Sequence, residues 1–156
     1  MGVGDFLNED DIVRQLKEGK WLRNMFGLVE LEVRQSVAWF PEKGGTFTSK
    51  QADLVGVNAG GKVFSFEVKG PGHGIGSAFD QVCAYCRGSN FVYCILHEGS
   101  VSETSLEKFR RTGMGLITYG LKGDRVDSIK LILVSEDQRG KHVGLTLLWF
   151  RIFKRK

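Results

Sequence analysis

The spacing of hydrophobic and polar positions changes several times along the chain, and each change marks an element. Over 8–19, NEDDIVRQLKEG sets Ile12, Val13 and Leu16 on one face of a 3.6-residue period, with Asn8 or Asp5 as cap and Gly19 as stop. From 28 to 40, LVELEVRQSVAWF is rich in β-formers with partial alternation, and Pro41 ends it. ADLVGVN at 52–58 and KVFSFEVK at 62–69 are two more strands, joined by AGG, a short hairpin signal. Beyond the glycine-rich GPGHGIG at 70–76, Ile75, Phe79, Val82, Cys83 and Cys86 fall on one helical face, which Gly88 stops. FVYCIL at 91–96 reads as a buried strand, and SETSLEKFRRTG at 102–113 as a helix whose capping box has Ser105 where Glu or Gln is usual. GLITYG at 115–120 is a fifth strand. The apolar runs 129–134 and 143–153 flank the polar SEDQRGKH and predict a C-terminal hairpin, although 143–153 also suits a helix. Helices alternating with strands in this order predict an α/β domain.

Composition narrows the picture only a little. At 156 residues, 42% hydrophobic and 26% charged, the chain fits one soluble globular domain, with a core over about 8–119 and an extension over about 120–156. The net charge of +4 permits a polyanionic partner without requiring one. Four of the last six residues, RIFKRK, are basic, which suits either a solvated tail or contact with phosphate. The acidic, polar start does not read as a signal peptide, and 143–153 is too short to span a bilayer, so a cytoplasmic protein is expected. Cys83, Cys86 and Cys94 fit a reducing compartment and read as small core residues; the CxxC lacks the second ligand pair that a zinc site needs.

Chemistry concentrates in KQADLVGVNAGGKVFSFEVK at 50–69. A hairpin centred near Gly60 pairs residues whose numbers sum to about 120, which sets Asp53 opposite Glu67. Glu67 and Lys69, two apart, share one face of their strand. Two carboxylates held that close repel, which raises one pKa or recruits a cation, and oxygen ligands suit Mg²⁺ or Mn²⁺. A structural salt bridge between Asp53 and Lys69 accounts for the spacing equally well.

The same residues resemble a known family. Asp53, thirteen intervening residues and Glu67-Val68-Lys69 across a hairpin look like the core of the PD-(D/E)xK nuclease superfamily, although Ala52 stands where a proline often precedes the Asp. Gln81 and Tyr85, four apart on the following helix, look like the QxxxY motif of its RecB-like branch. The resemblance implies a restriction-endonuclease-like αβββαβ core, a mixed central sheet flanked by helices, over most of 8–119. It assigns Asp53, Glu67 and the Val68 carbonyl to a metal, Mg²⁺ or Mn²⁺, and Lys69 to the attacking water or the phosphate. It gives Gln81 a metal-bound water or a phosphate to orient, and Tyr85 a stacking or backbone contact with nucleic acid; core-edge packing for Tyr85 and a solvated Gln81 remain the structural alternative. The family also carries an acid on its first helix. Glu9 lies on the face of Ile12, Val13 and Leu16 and is the candidate, whereas Asp11 points away. With three cysteines the four-cysteine iron–sulfur cluster of some relatives is not expected.

Among other candidates, Lys50 and His73 are candidate nucleic-acid contacts, and Lys62, Arg87, Lys108, Arg110 and Arg111 form either a basic groove or ordinary surface charge. GPGHGIG does not match a dinucleotide-binding GxGxxG. The expected activity is metal-dependent phosphodiester hydrolysis, in DNA first. A junction resolvase, an RNA-cutting nuclease of the same fold and a non-catalytic nucleic-acid-binding module stand as alternatives. The C-terminal segment with Trp149 and Phe150 is core, homodimer interface or partner dock.

Overall fold

The structure, a computed structural model, describes residues 7–39, 48–73, 79 and 88–138. Helix α1 (Glu9–Glu18) starts at Asn8, whose side chain accepts the Asp11 N–H while Asp11 accepts the Asn8 N–H, and it buries Ile12, Val13 and Leu16. A second helix follows that the periodicity does not reveal, α2 (Trp21–Phe26). Its six residues are too few to carry a period, and Gly27, left-handed at φ 63°, turns the chain straight into the sheet.

The described residues form one six-stranded sheet in sequence order: β1 (Leu28–Trp39), β2 (Thr48–Asn58), β3 (Val63–Val68), β4 (Phe91–His97), β5 (Gly115–Lys122) and β6 (Arg125–Leu133). β1, β2 and β3 are antiparallel, β3, β4 and β5 are parallel, and β6 returns antiparallel to β5. The protein is thus an α/β domain on a mixed sheet. Asn58 closes the β2–β3 turn with its side chain on the Lys62 N–H, and Gly61 takes φ 79° there. After a short 3₁₀ turn, Glu98–Ser100, helix α3 (Glu103–Thr112) makes the crossover to β5, and its cap Ser102 accepts the Ser105 N–H.

The two sheet faces bury different layers. Phe64, Phe66, Val68, Tyr93 and Ile95 pack with α1 and α2, and the Phe26 ring lies 4.7 Å from that of Tyr93. Alternate residues, Val55, Val63, Val92, Cys94 and Leu96, pack beneath Phe109 of α3. Both layers are hydrocarbon at their centres, so register is fixed: a slip of one position would turn each strand inside out.

The second arm of the expected C-terminal hairpin is not among the described residues. Residues 129–133 belong to a longer strand that begins at Arg125 and pairs with β5 across the turn at Gly123, and 143–153 lies outside the described residues. The predicted helix over 75–88 also lies outside them, apart from Phe79, whose ring meets Phe109 edge-on at 5.5 Å, and Gly88. Among the described residues no helix is long and apolar enough to cross a membrane.

Candidate active site

The β2–β3 register pairs Leu54 with Phe66 and Val55 with Ser65, so its continuation sets Asp53 opposite Glu67. The ladder stops at this point. Asp53 Oδ2 accepts the Val68 N–H at 2.7 Å in place of a backbone carbonyl, while the β3–β4 ladder runs on to Val68 and Ile95. Lys69, the next residue, donates its N–H to the Ile95 carbonyl at 3.0 Å. The two acids therefore sit where the seam between β2 and β3 ends, near the carboxyl ends of the parallel strands. Open α/β sheets bind ligands at such ends.

Glu67 is only 5% exposed, and its Oε2 lies 3.5 Å from Lys69 Nζ. The ion pair that forms is thus Glu67–Lys69, in place of the Asp53–Lys69 bridge that spacing also allowed. Asp53 is the facing neighbour of Glu67 at the end of the hairpin. Burial pushes the Asp53 carboxyl above its ordinary range and the nearby Glu9 adds to this, against the opposing pull of the Val68 N–H, Glu67 and Lys69.

Glu9 reaches the group from α1, where its Oε1 faces the Gly70 N–H at 3.4 Å. A Cβ at Gly70 would stand 3.4 Å from Glu9 Cγ, so the helix start and the end of β3 lie in van der Waals range of each other. Asp11 is turned back to cap the helix, and Asp10 pairs with Arg34 at 2.6 Å. His73 is exposed on the rim of a cleft it shares with Glu9, Asp10 and Gly70, of about 580 Å³. That size falls within the range of small-ligand sites.

The structure thus brings together Glu9, Asp53, Glu67, Val68 and Lys69, with His73 at the edge. Lys50 pairs with Val37 in the β1–β2 ladder, away from the acids, and its side chain lies outside the described set. Gln81 and Tyr85 lie outside the described residues, as do Cys83, Cys86 and Arg87. The other basic candidates are engaged elsewhere: Lys62 with Asp137 at 3.3 Å, Arg111 with Glu107 at 3.3 Å, Arg110 with Glu107 at 3.8 Å, and Lys108 over the Phe79 ring. Cys94, the β4 neighbour of Glu67, is buried, and burial followed by the Glu67 charge pushes its thiol far up, so it serves packing.

Two residues join the site that spacing does not single out. Tyr119 on β5 donates its hydroxyl to the Lys69 carbonyl at 2.8 Å, and burial, then Glu9, pushes that hydroxyl up. Arg34 on β1 stands opposite Asp53 in the β1–β2 register; its positive charge is stabilised first by Asp10 and in smaller part by Asp53. Neither is visible without the pairing of strands distant in sequence.

A cation's fit can be judged from the donors. Glu9, Asp53 and Glu67 gather around one ammonium, so full ionisation leaves negative charge in excess, and the oxygen donors are those of a hard ion. Among the described residues no group of three or more His, Cys, Asp or Glu is placed to hold a metal by itself. Two acids with backbone and water completing the shell is the arrangement Mg²⁺ favours, since it keeps several waters.

No protein-family model matches this chain, and no curated protein matches it. Among solved structures, the SPO1766 protein of unknown function from Silicibacter pomeroyi is similar over 97% of this chain and 84% of that one, with a TM-score of 0.51 and 12% identity. That likeness concerns the fold alone.

Proposed function

We propose that the protein is a metal-dependent nuclease of the PD-(D/E)xK type that hydrolyses phosphodiester bonds, in DNA first. The observation that carries this reading is half-buried Asp53 set opposite buried Glu67 beside Lys69, at the point where β2 and β3 part. Drawing three ionisable groups out of water together is expensive, and a purely structural role would be met as well by apolar side chains. Strand order and direction add support, because three antiparallel strands followed by a parallel β4 match the order the resemblance implies.

Asp53 and Glu67 would hold Mg²⁺ or Mn²⁺, with the Val68 carbonyl and Glu9 at its periphery. Bound there, such an ion polarises a phosphoryl oxygen and lowers the pKa of a bound water. The chain's own residues do the rest. The Val68 N–H keeps Asp53 oriented, so its remaining oxygen is presented at a fixed angle. Ionisation of both acids side by side would call for the counter-charge of the cation. Lys69 Nζ, drawn from Glu67, stands where it can hold or deprotonate the attacking water or offset charge on the phosphate. Tyr119 fixes the Lys69 backbone and so the position of its ammonium.

The test is a substrate panel (supercoiled plasmid, linear duplex, single strand, four-way junction, RNA) with Mg²⁺, Mn²⁺ or EDTA. Cleavage that needs the cation and disappears in Asp53→Ala supports the proposal, and the best substrate separates DNA nuclease, junction resolvase and RNA-cutting enzyme. Binding without cleavage of any substrate would favour a non-catalytic module.

A further inference from the structure

Arg34 has a backbone conformation that its position in the sheet does not explain. It lies in the middle of the twelve-residue strand β1, yet its φ is 53°, the left-handed region that side-chain-bearing residues avoid. Among the described residues it is the one non-glycine with positive φ. Val33 pairs with Leu54 and Gln35 with Ala52 in the same register, so no residue is inserted, and Arg34 sits opposite Asp53. Alternation breaks at that pair: Leu54 packs on the α1 side, whereas Ala52 and Val55 both pack on the α3 side. Glycine or asparagine would adopt this geometry with less strain, so an arginine here points to a use for its head group.

The head group itself is loosely held. Arg34 Nη2 donates to Asp10 Oδ1 at 2.6 Å, but the two side chains are 61% and 72% exposed, and pairs this wet hold little energy. Asp10 lines the same cleft as Glu9, Gly70 and His73. A phosphodiester approaching this cleft meets an excess of carboxylates. Lys69 is already drawn to Glu67, and Arg34, opposite Asp53 in the β1–β2 register, is a further basic group that the Asp53 charge reaches.

We propose that Arg34 is a phosphate clamp, its guanidinium leaving Asp10 for non-bridging oxygens of a nucleic-acid phosphate and held over the cleft by the left-handed turn opposite Asp53. A planar fork of donors suits a phosphate better than it suits one carboxylate oxygen. No covalent step is involved; one ion pair replaces another. The inference rests on the nucleic-acid reading of the site.

The test is the affinity of full-length protein for a fluorescent oligonucleotide duplex in EDTA, across a salt series, for wild type, Arg34→Asn, Arg34→Lys and Asp10→Asn. Arg34→Asn should weaken binding and reduce the slope of log affinity against log salt by about one, because one phosphate contact is lost. Its thermal stability should be equal to wild type or higher, since Asn tolerates the left-handed backbone. Arg34→Lys should keep the slope and lose part of the affinity, and Asp10→Asn should bind at least as well as wild type. Unchanged affinity and slope in Arg34→Asn, with wild type binding normally, would overturn the clamp and leave the nuclease reading standing. A wild-type protein that binds no oligonucleotide would overturn both.

Discussion

Replacing Asp53 by Asn should make the protein more stable and inactive at once. The amide is isosteric, and its oxygen can still accept the Val68 N–H. What disappears is a carboxylate pushed up by burial and, in smaller part, by Glu9. The sign follows from proton linkage: the folded chain holds the Asp53 proton more tightly than the unfolded chain does. That contribution is fully present below the ordinary carboxylate pKa and is lost as pH rises through the raised folded value. At neutral pH wild type bears the strain and Asp53→Asn does not. Every tenfold by which folding tightens the hold on that proton corresponds to about 1.4 kcal/mol. For a chain of this length a kcal/mol moves Tm by roughly 2–4 °C. Melting followed by circular dichroism in EDTA should therefore place Asp53→Asn a few degrees above wild type near neutral pH, and the gap should close as pH falls towards the carboxylate range. Magnesium should reverse the order. At a concentration about a hundred times Kd it stabilises wild type by about 2.7 kcal/mol, and Asp53→Asn, lacking a ligand, should gain little. A variant less stable than wild type at neutral pH in EDTA, or one that gains as much from magnesium, would refute the electrostatic account of the site.

Further expectations concern the support of the site and the sheet. Tyr119→Phe removes the hydrogen bond to the Lys69 carbonyl, and should cost about 1 kcal/mol of stability; it should lower kcat more than it raises KM, and equal effects on both would count against a positioning role. Gly115→Ala drives a Cβ into the Tyr93 ring and to 3.0 Å from the Leu133 carbonyl, so repacking is forced. Overpacking of this kind typically costs about 1–3 kcal/mol, which urea denaturation would measure; an unchanged midpoint would contradict this packing.

Much of the central hairpin is readable in the sequence because its signals are local. Asn-Ala-Gly-Gly fixes a short turn, a short turn fixes register, and register brings Asp53 to Glu67. Glu9 is readable for a similar reason: one cap and one buried face determine which side of a ten-residue helix meets the sheet. Other features need long-range pairing. Arg34 becomes opposed to Asp53 only once β1 and β2 are aligned, and nothing in VELEVRQ announces a left-handed residue. Tyr119 reads as one more buried strand residue until the parallel β3–β4–β5 arrangement puts its hydroxyl on Lys69. The run at 129–134 does not announce its pairing with β5, because its apolar residues begin four positions inside the strand, past the turn at Gly123.

The measurement that bears most directly on the central claim is the rate of cation-dependent phosphodiester cleavage by wild type and by Glu67→Gln, on one substrate and with matched circular dichroism. Glu67→Gln keeps the shape of the buried side chain and removes the charge that pairs with Lys69. The account predicts cleavage by wild type in Mg²⁺, none in EDTA, and loss of at least about a hundredfold in the variant, the scale of removing one essential charge-stabilising group. Equal rates for the two proteins, or cleavage indifferent to EDTA, would contradict it.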